Sequence, residues 1–128
     1  MTEHLNTAAD FIRSLSMDVN NANIRFGNFL DDFYRAGIEE RKEMLSDEPG
    51  SFDNVRDIDF VNIAATVHKL ANDSGFDPPK WVFNRKYYSS EPFFPVDHTE
   101  LKLIYMFESP TEFKHRNMFV SANSLVRT

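Results

Sequence analysis

The chain predicts an all-α or mostly α single domain of about five helices, with one ordered, aromatic-rich segment in its second half. Three observations carry this. Apolar residues recur at spacings of three and four through the first 45 residues and again over 60–71. Helix caps and breakers (Asn20-Asn21, Pro49-Gly50, Gly75, Pro78-Pro79, Ser109-Pro110) punctuate the chain between those stretches. Eleven of the eighteen aromatic residues fall between Phe76 and Phe119, too dense a cluster for a disordered segment.

In order along the chain, Leu5, Ala8, Ala9, Ile12, Leu15 and Val19 predict an amphipathic helix over roughly 4–18. Asn20 and Asn21 suit a turn or an N-cap. Phe26, Phe29, Leu30, Phe33 and Tyr34 form a second stripe. It reads as the core face of a helix, with a partner-binding face as the alternative. Gly37 weakens that helix by about 1 kcal/mol relative to alanine, and the pattern continues through Ile38, Met44 and Leu45. EERKE (39–43) reads as a solvated face. Residues 1–46 thus predict an acidic helical hairpin, and 47–56 a loop. The core helices and the remaining pattern occupy 57–128.

Asp57 or Asp59 suits the cap of the next helix, which carries Phe60, Ile63, Ala64, Val67, Leu70 and Ala71 on one face. Gly75 suits its left-handed terminus, with Phe76 closing the cap and Asp77-Pro78-Pro79 preventing continuation. From Pro79 to Pro95 no single period holds, and the expectation is a wrapped segment with one helical turn after Pro79 and another around Arg85 to Tyr88. A further helix begins after Pro95, with Asp97 and Glu100 placed for a capping box. LKLIYMF (101–107) is apolar almost all round, which predicts a central buried helix or, alternatively, a strand. In Ser109-Pro110-Thr111-Glu112, Ser109 suits the N-cap, Pro110 the first helical position and Glu112 the third, with Asn117 ending the helix. Trp81, Phe83, Phe94, Leu101, Ile104, Phe113 and Phe119 are expected to share one core with the 60–71 helix.

Net charge is −6, unevenly divided. Residues 1–74 carry fourteen acids against seven Lys/Arg, a net −7, and residues 75–128 carry six against seven, a net +1. An acidic first half repels phosphate backbones, which disfavours nucleic-acid binding. With no cysteine there is no disulfide or thiolate chemistry. No signal-peptide pattern and no long apolar run is present, so the expected location is cytoplasmic, off the membrane. His4, His68, His98 and His115 lack metal-ligand spacing, and neither a glycine-rich phosphate loop nor a nucleophile elbow occurs. The expectation is therefore no enzyme, no cofactor and no metal. Glu108, at the end of the apolar run, is expected to be partly buried against Arg116 or Lys102. Lys114, His115 and Arg116 form a small basic cluster suited to an acidic partner.

WVFNRKYY with EPFF, then after a short variable gap a leucine leading to ESPTEFKHRNMFVSANSLVR, resembles a C-terminal region of many short bacterial proteins. The likeness covers about residues 79–127 and combines Trp81, Pro92, Phe94, Glu108, Ser109, Pro110, Phe113, Arg116, Asn117, Phe119, Val120, Asn123, Leu125 and Arg127 in order. Asn84 stands where an Asp is usual and Val126 where a Ser is usual. Those proteins resemble antitoxin-type partners of nucleotidyltransferase-like toxins, and many carry a helix-turn-helix upstream. The resemblance implies a protein-binding inhibitor of a toxin partner, whereas residues 1–74 lack a helix-turn-helix. A DNA-binding regulator of a toxin–antitoxin or mobile-element operon is the alternative. Candidate partner-binding residues are Trp81, Arg85, Phe93, Lys114, Arg116 and Arg127. Whether the 81–94 aromatics are core or interface, and the oligomeric state, stay open at this level.

Overall fold

The structure, a computed structural model, describes residues 6–127 and is all-α among them. Six α-helices follow in order: α1 (Ala8–Met17), α2 (Ala22–Arg35), α3 (Ile38–Ser46), α4 (Asp57–Ser74), α5 (Thr99–Glu108) and α6 (Thr111–Lys114). Two short 3-10 turns, Lys80–Phe83 and Arg85–Tyr87, lie between α4 and α5 where helical turns were expected. Helix α1 starts where Thr7 accepts a hydrogen bond from the Asp10 N–H. Its expected start at residue 4, with Leu5, lies outside the described residues. Val19 is exposed rather than on the buried stripe, because the helix ends at Met17 and Asn21 turns the chain through the left-handed region.

Among the described residues, 6–46 form three helices instead of a hairpin's two. Ala36 and Gly37 are extended, and Arg41 secures the break. Its Nε donates to the carbonyls of Phe33 and Ala36, its Nη2 to that of Tyr34 and its Nη1 to the Ser74 hydroxyl. The guanidinium also lies over the Phe33 ring, 5.0 Å from its centre. Carbonyls left free at the end of α2 are thereby satisfied. One member of the run read as a solvated face is a structural cap.

Helix α4 is the central element, touching α1, α3, α6 and both 3-10 turns. Val61, Ile63, Ala64, Ala65, Val67, Leu70 and Ala71 are all buried along it. Neither Asp57 nor Asp59 is its cap residue; that position is Arg56, which pairs with Asp59 at 3.0 Å. At the other end Gly75 takes φ 86°, with the Phe76 N–H on the Ala71 carbonyl and the Gly75 N–H on that of Asn72. The same closure recurs after α6. Asn117 takes φ 66°, with the Met118 N–H on the Phe113 carbonyl and its own N–H on that of Lys114.

Residues 79–93 and 113–120 close over α4 together. The Ser89 N–H donates to the Arg116 carbonyl, Phe93 N–H to that of Asn117 and Phe119 N–H to that of Phe93. Phe94 stacks on Phe119 at 5.1 Å. At the centre of this closure Arg116 has no solvent exposure. Its Nη2 donates to the Val82 carbonyl at 2.7 Å, its Nη1 to the Glu112 carbonyl at 2.9 Å and to His68 Nδ1 at 3.1 Å, and it lies over Tyr88. Arginine only donates, so His68 Nδ1 accepts and the imidazole is neutral with its proton on Nε2.

Of the expected core set, Phe113 is buried, Trp81 packs against the core, and Phe94 and Phe119 are half-buried against each other. Phe83, Leu101 and Ile104 are exposed. Phe83 meets His68 edge-on at the surface, and α5 stands off the core.

Phe113→Ala should cost about 3–5 kcal/mol by urea denaturation, since a fully buried ring is removed beneath the closure; a loss below ~1 kcal/mol would contradict the packing. A second expectation concerns pH. Burial, and then the Arg116 charge, hold the His68 pKa below 6.5. Above that pH both folded and unfolded chains carry a neutral imidazole. As pH falls through 6.5 the unfolded chain takes up a proton the folded chain refuses, so stability declines from there down to the folded value. Denaturation midpoints at about pH 7.5 and 5.5 should differ more for the native chain than for His68→Gln, whose amide oxygen still accepts from Arg116.

Candidate functional site

Helix α5 is where sequence and structure part most sharply. The run LKLIYMF is helical, so the strand alternative does not hold. It is not a central buried helix, however, because none of its ten residues is fully buried. Its N-cap is His98, without a side-chain bond, so the box expected from Asp97 and Glu100 is not made. Asp97 instead stands 3.8 Å from Lys102.

The helix has two distinct sides. Residues 102, 105 and 109 face the protein: the Lys102 ammonium lies 5.6 Å from the centre of the Phe94 ring, and Tyr105 is half-buried. Glu100, Leu103, Ile104 and Phe107, at i, i+3, i+4 and i+7, make the opposite face. Phe107 is 85% exposed, Leu103 52% and Ile104 48%, with Met106 and Leu101 open on the flanks. Five adjacent large apolar side chains on one short helix form a contiguous patch of the kind that marks an interaction surface.

Ser109 anchors the helix's C-terminal end. Its hydroxyl accepts from the Val120 N–H at 2.8 Å and reaches the carbonyls of Tyr105 and Val120. It is the residue that ends α5, and Pro110 occupies the N-cap of α6, so the reciprocal bond with Glu112 is not formed. The proline sets the register one residue later than the spacing suggested. Glu112 bonds Asn72 of α4 instead, at 2.9 Å. Glu108 is exposed, its Oε1 accepting from the Ala122 N–H at 3.2 Å, rather than buried beside Arg116.

The six candidate partner-binding residues are not brought together as one surface. Trp81 packs inward, its Nε1 donating to the Leu45 carbonyl at 3.1 Å and its ring edge-on to Tyr87. Phe93 packs against the core and pairs with Met118. Arg116 is fully buried, so the Lys114–Arg116 cluster is not a presented basic face. Lys114 is exposed, with its ammonium on the Phe107 carbonyl at 3.2 Å, and stands at the C-terminal end of the apolar patch. Arg85 is exposed in the second 3-10 turn. Arg127 lies across Gly27 and pairs with Asp31 at 3.0 Å, which holds that carboxyl below its usual range and ties the last residues to α2.

Leu103, Ile104 and Phe107 are the surface residues that sequence reasoning missed. The available signal was that α4 already fills the central position of a small domain. A second helix apolar all round must then leave one side uncovered. Elsewhere, a cleft of about 370 Å³ between α1, α2 and the start of α4 is lined by Phe11, Leu15, Phe26 and the paired Arg56 and Asp59. No group of three His, Asp or Glu among the described residues is placed to hold a metal ion, and no helix among them is long and apolar enough to cross a membrane.

Ser109→Ala should destabilise by about 1–3 kcal/mol in urea, because the Val120 N–H is left buried without an acceptor; an unchanged midpoint would show that the hydroxyl does not carry this junction. Compared with protein-family models, curated proteins and solved structures, the chain has no match.

Proposed function

We propose that this chain is a non-enzymatic protein-binding module and that the outer face of α5 is a docking surface. The observation that carries the reading is the run Leu103–Ile104–Phe107, held outward on a helix whose inner side is anchored by Tyr105 and Ser109. Exposed apolar area on this scale is unfavourable in water and is relieved when a partner covers it. The resemblance of residues 79–127 supplies a partner class, a nucleotidyltransferase-like toxin, for a cytoplasmic antitoxin-like inhibitor. The acidic first half, residues 1–74, suits such a partner, since its net −7 charge complements a basic, nucleic-acid-facing groove.

The regulator alternative draws on Lys114 and Arg116, and the burial of Arg116 leaves it one presented cation fewer. The isolated chain should therefore show no sequence-specific DNA affinity at about 150 mM salt, where weak phosphate contacts no longer dominate. Affinity purification from the native host, with mass spectrometry of wild type beside Phe107→Glu and Glu39→Lys/Glu40→Lys chains, tests both readings. A stoichiometric protein lost with one of these substitutions supports the module. Nanomolar, sequence-dependent DNA binding would replace it with the regulator.

A further inference from the structure

We propose that the occupant of the α5 face is a second copy of this chain, docked antiparallel about a two-fold axis that passes between Leu103 and Ile104. The inference rests on reading α5 as a docking surface and names what covers it, which leaves the acidic residues 1–74 as the face for a toxin-like partner.

Three features of the face favour a copy of itself. The first is charge. Glu100 begins the outer stripe, and Lys114 stands at its far end on the Phe107 carbonyl. Of the three other charges nearby, Lys102 lies over Phe94 with the exposed Asp97 3.8 Å from it, and Glu108 accepts from the Ala122 N–H. In an antiparallel pair Glu100 of each protomer meets Lys114 of the other, Leu103 meets Ile104, and the helix dipoles oppose. A parallel pair would set Glu100 against Glu100 and Lys114 against Lys114.

The second is size. A ten-residue helix is about 15 Å long, so an identical helix covers it end to end. Five large apolar side chains, each with on the order of 200 Å² of surface and about half of it open, offer roughly 500 Å² per protomer. Two such faces together reach the ~1,000 Å² at which specific interfaces begin.

The third is placement. Like-charged copies repel, but the excess acid lies in residues 1–74 with net −7, whereas the half that carries α5 is +1. The faces therefore meet through the nearly neutral part of each chain, where like-charge repulsion is small.

Sedimentation velocity of the full chain over a concentration series, at two salt concentrations, tests this. A reversible monomer–dimer equilibrium is expected. Leu103→Glu and Phe107→Glu should each weaken it by at least about 100-fold, with the thermal midpoint of the monomer unchanged. Glu100→Lys or Lys114→Glu alone should weaken it about 3–10-fold, and the double reversal should restore it. A chain that stays monomeric at every concentration overturns the proposal. So does a dimer indifferent to Leu103→Glu and Phe107→Glu. Single reversals without effect, or a double reversal that does not restore, overturn the antiparallel arrangement. Failure here is separable from failure of the docking reading: a monomeric chain that still loses a stoichiometric protein partner on Phe107→Glu keeps the docking face and excludes only the second copy.

Discussion

The closure over α4 turns on the Arg116 guanidinium, which is withdrawn from water and bonded to groups on three separate parts of the chain. Removing a charge from water costs several kcal/mol unless its hydrogen bonds are replaced. Here the replacements are the Glu112 carbonyl on α6, the Val82 carbonyl in the first 3-10 turn and the His68 imidazole on α4. None of these carries a formal negative charge. Burial lowers the guanidinium's pKa, and the nearby Tyr88 and Glu112 work in the opposite direction. The Arg116 Nε is already buried without a partner, so moving any one of the three elements strips a further bond from the cation. It constrains the relative positions of α4, α6 and the turn after Pro79 more tightly than apolar contact alone would.

This constraint divides the molecule into a fixed part and an outer part. The left-handed residues Gly75 and Asn117 end α4 and α6 so that the chain turns back at both places. The backbone bonds between 89–93 and 116–119 then seal the segment that follows each turn. Helix α5 lies between the two sealed stretches, and Ser109 binds its last turn to Val120. Its inner side is held by Tyr105 and by Lys102 over Phe94, which fixes the direction in which the outer side faces. The exposure of Phe107 is thus a consequence of firm anchoring elsewhere on the helix.

Local rules made much of the fold legible in advance. The breaker pair Pro78-Pro79, the glycine at 75 and the asparagine at 117 act through backbone geometry that needs no tertiary partner, and each ends its helix as the sequence indicates. The two turns between Pro79 and Tyr88 were legible for the same reason. What was not legible depends on three-dimensional neighbours. Arg41 sits in a run of charges, and only the approach of the α2 C-terminus gives it carbonyls to cap. The basic look of Lys114-His115-Arg116 conceals that one member points into the core. For α5, composition records that a side chain is apolar and does not record whether anything covers it.

That last point bears on how the resemblance of residues 79–127 is understood. Trp81, Phe94, Ser109, Phe113, Arg116, Asn117 and Phe119, which carry the proposed resemblance, build the closure: the indole bonds Leu45, Phe94 stacks on Phe119, the serine holds Val120 and the arginine binds Val82. Arg127 adds the tie to α2. Residues with these duties preserve a scaffold, and they would do so whatever the scaffold binds. The outer stripe of α5 takes no part in that closure. Side chains there can change without disturbing the buried cation, as a binding surface requires. The residues that build the closure and the outer stripe of α5 are thus separate sets, so the docking proposed for that stripe can be altered by substitution without loss of the fold.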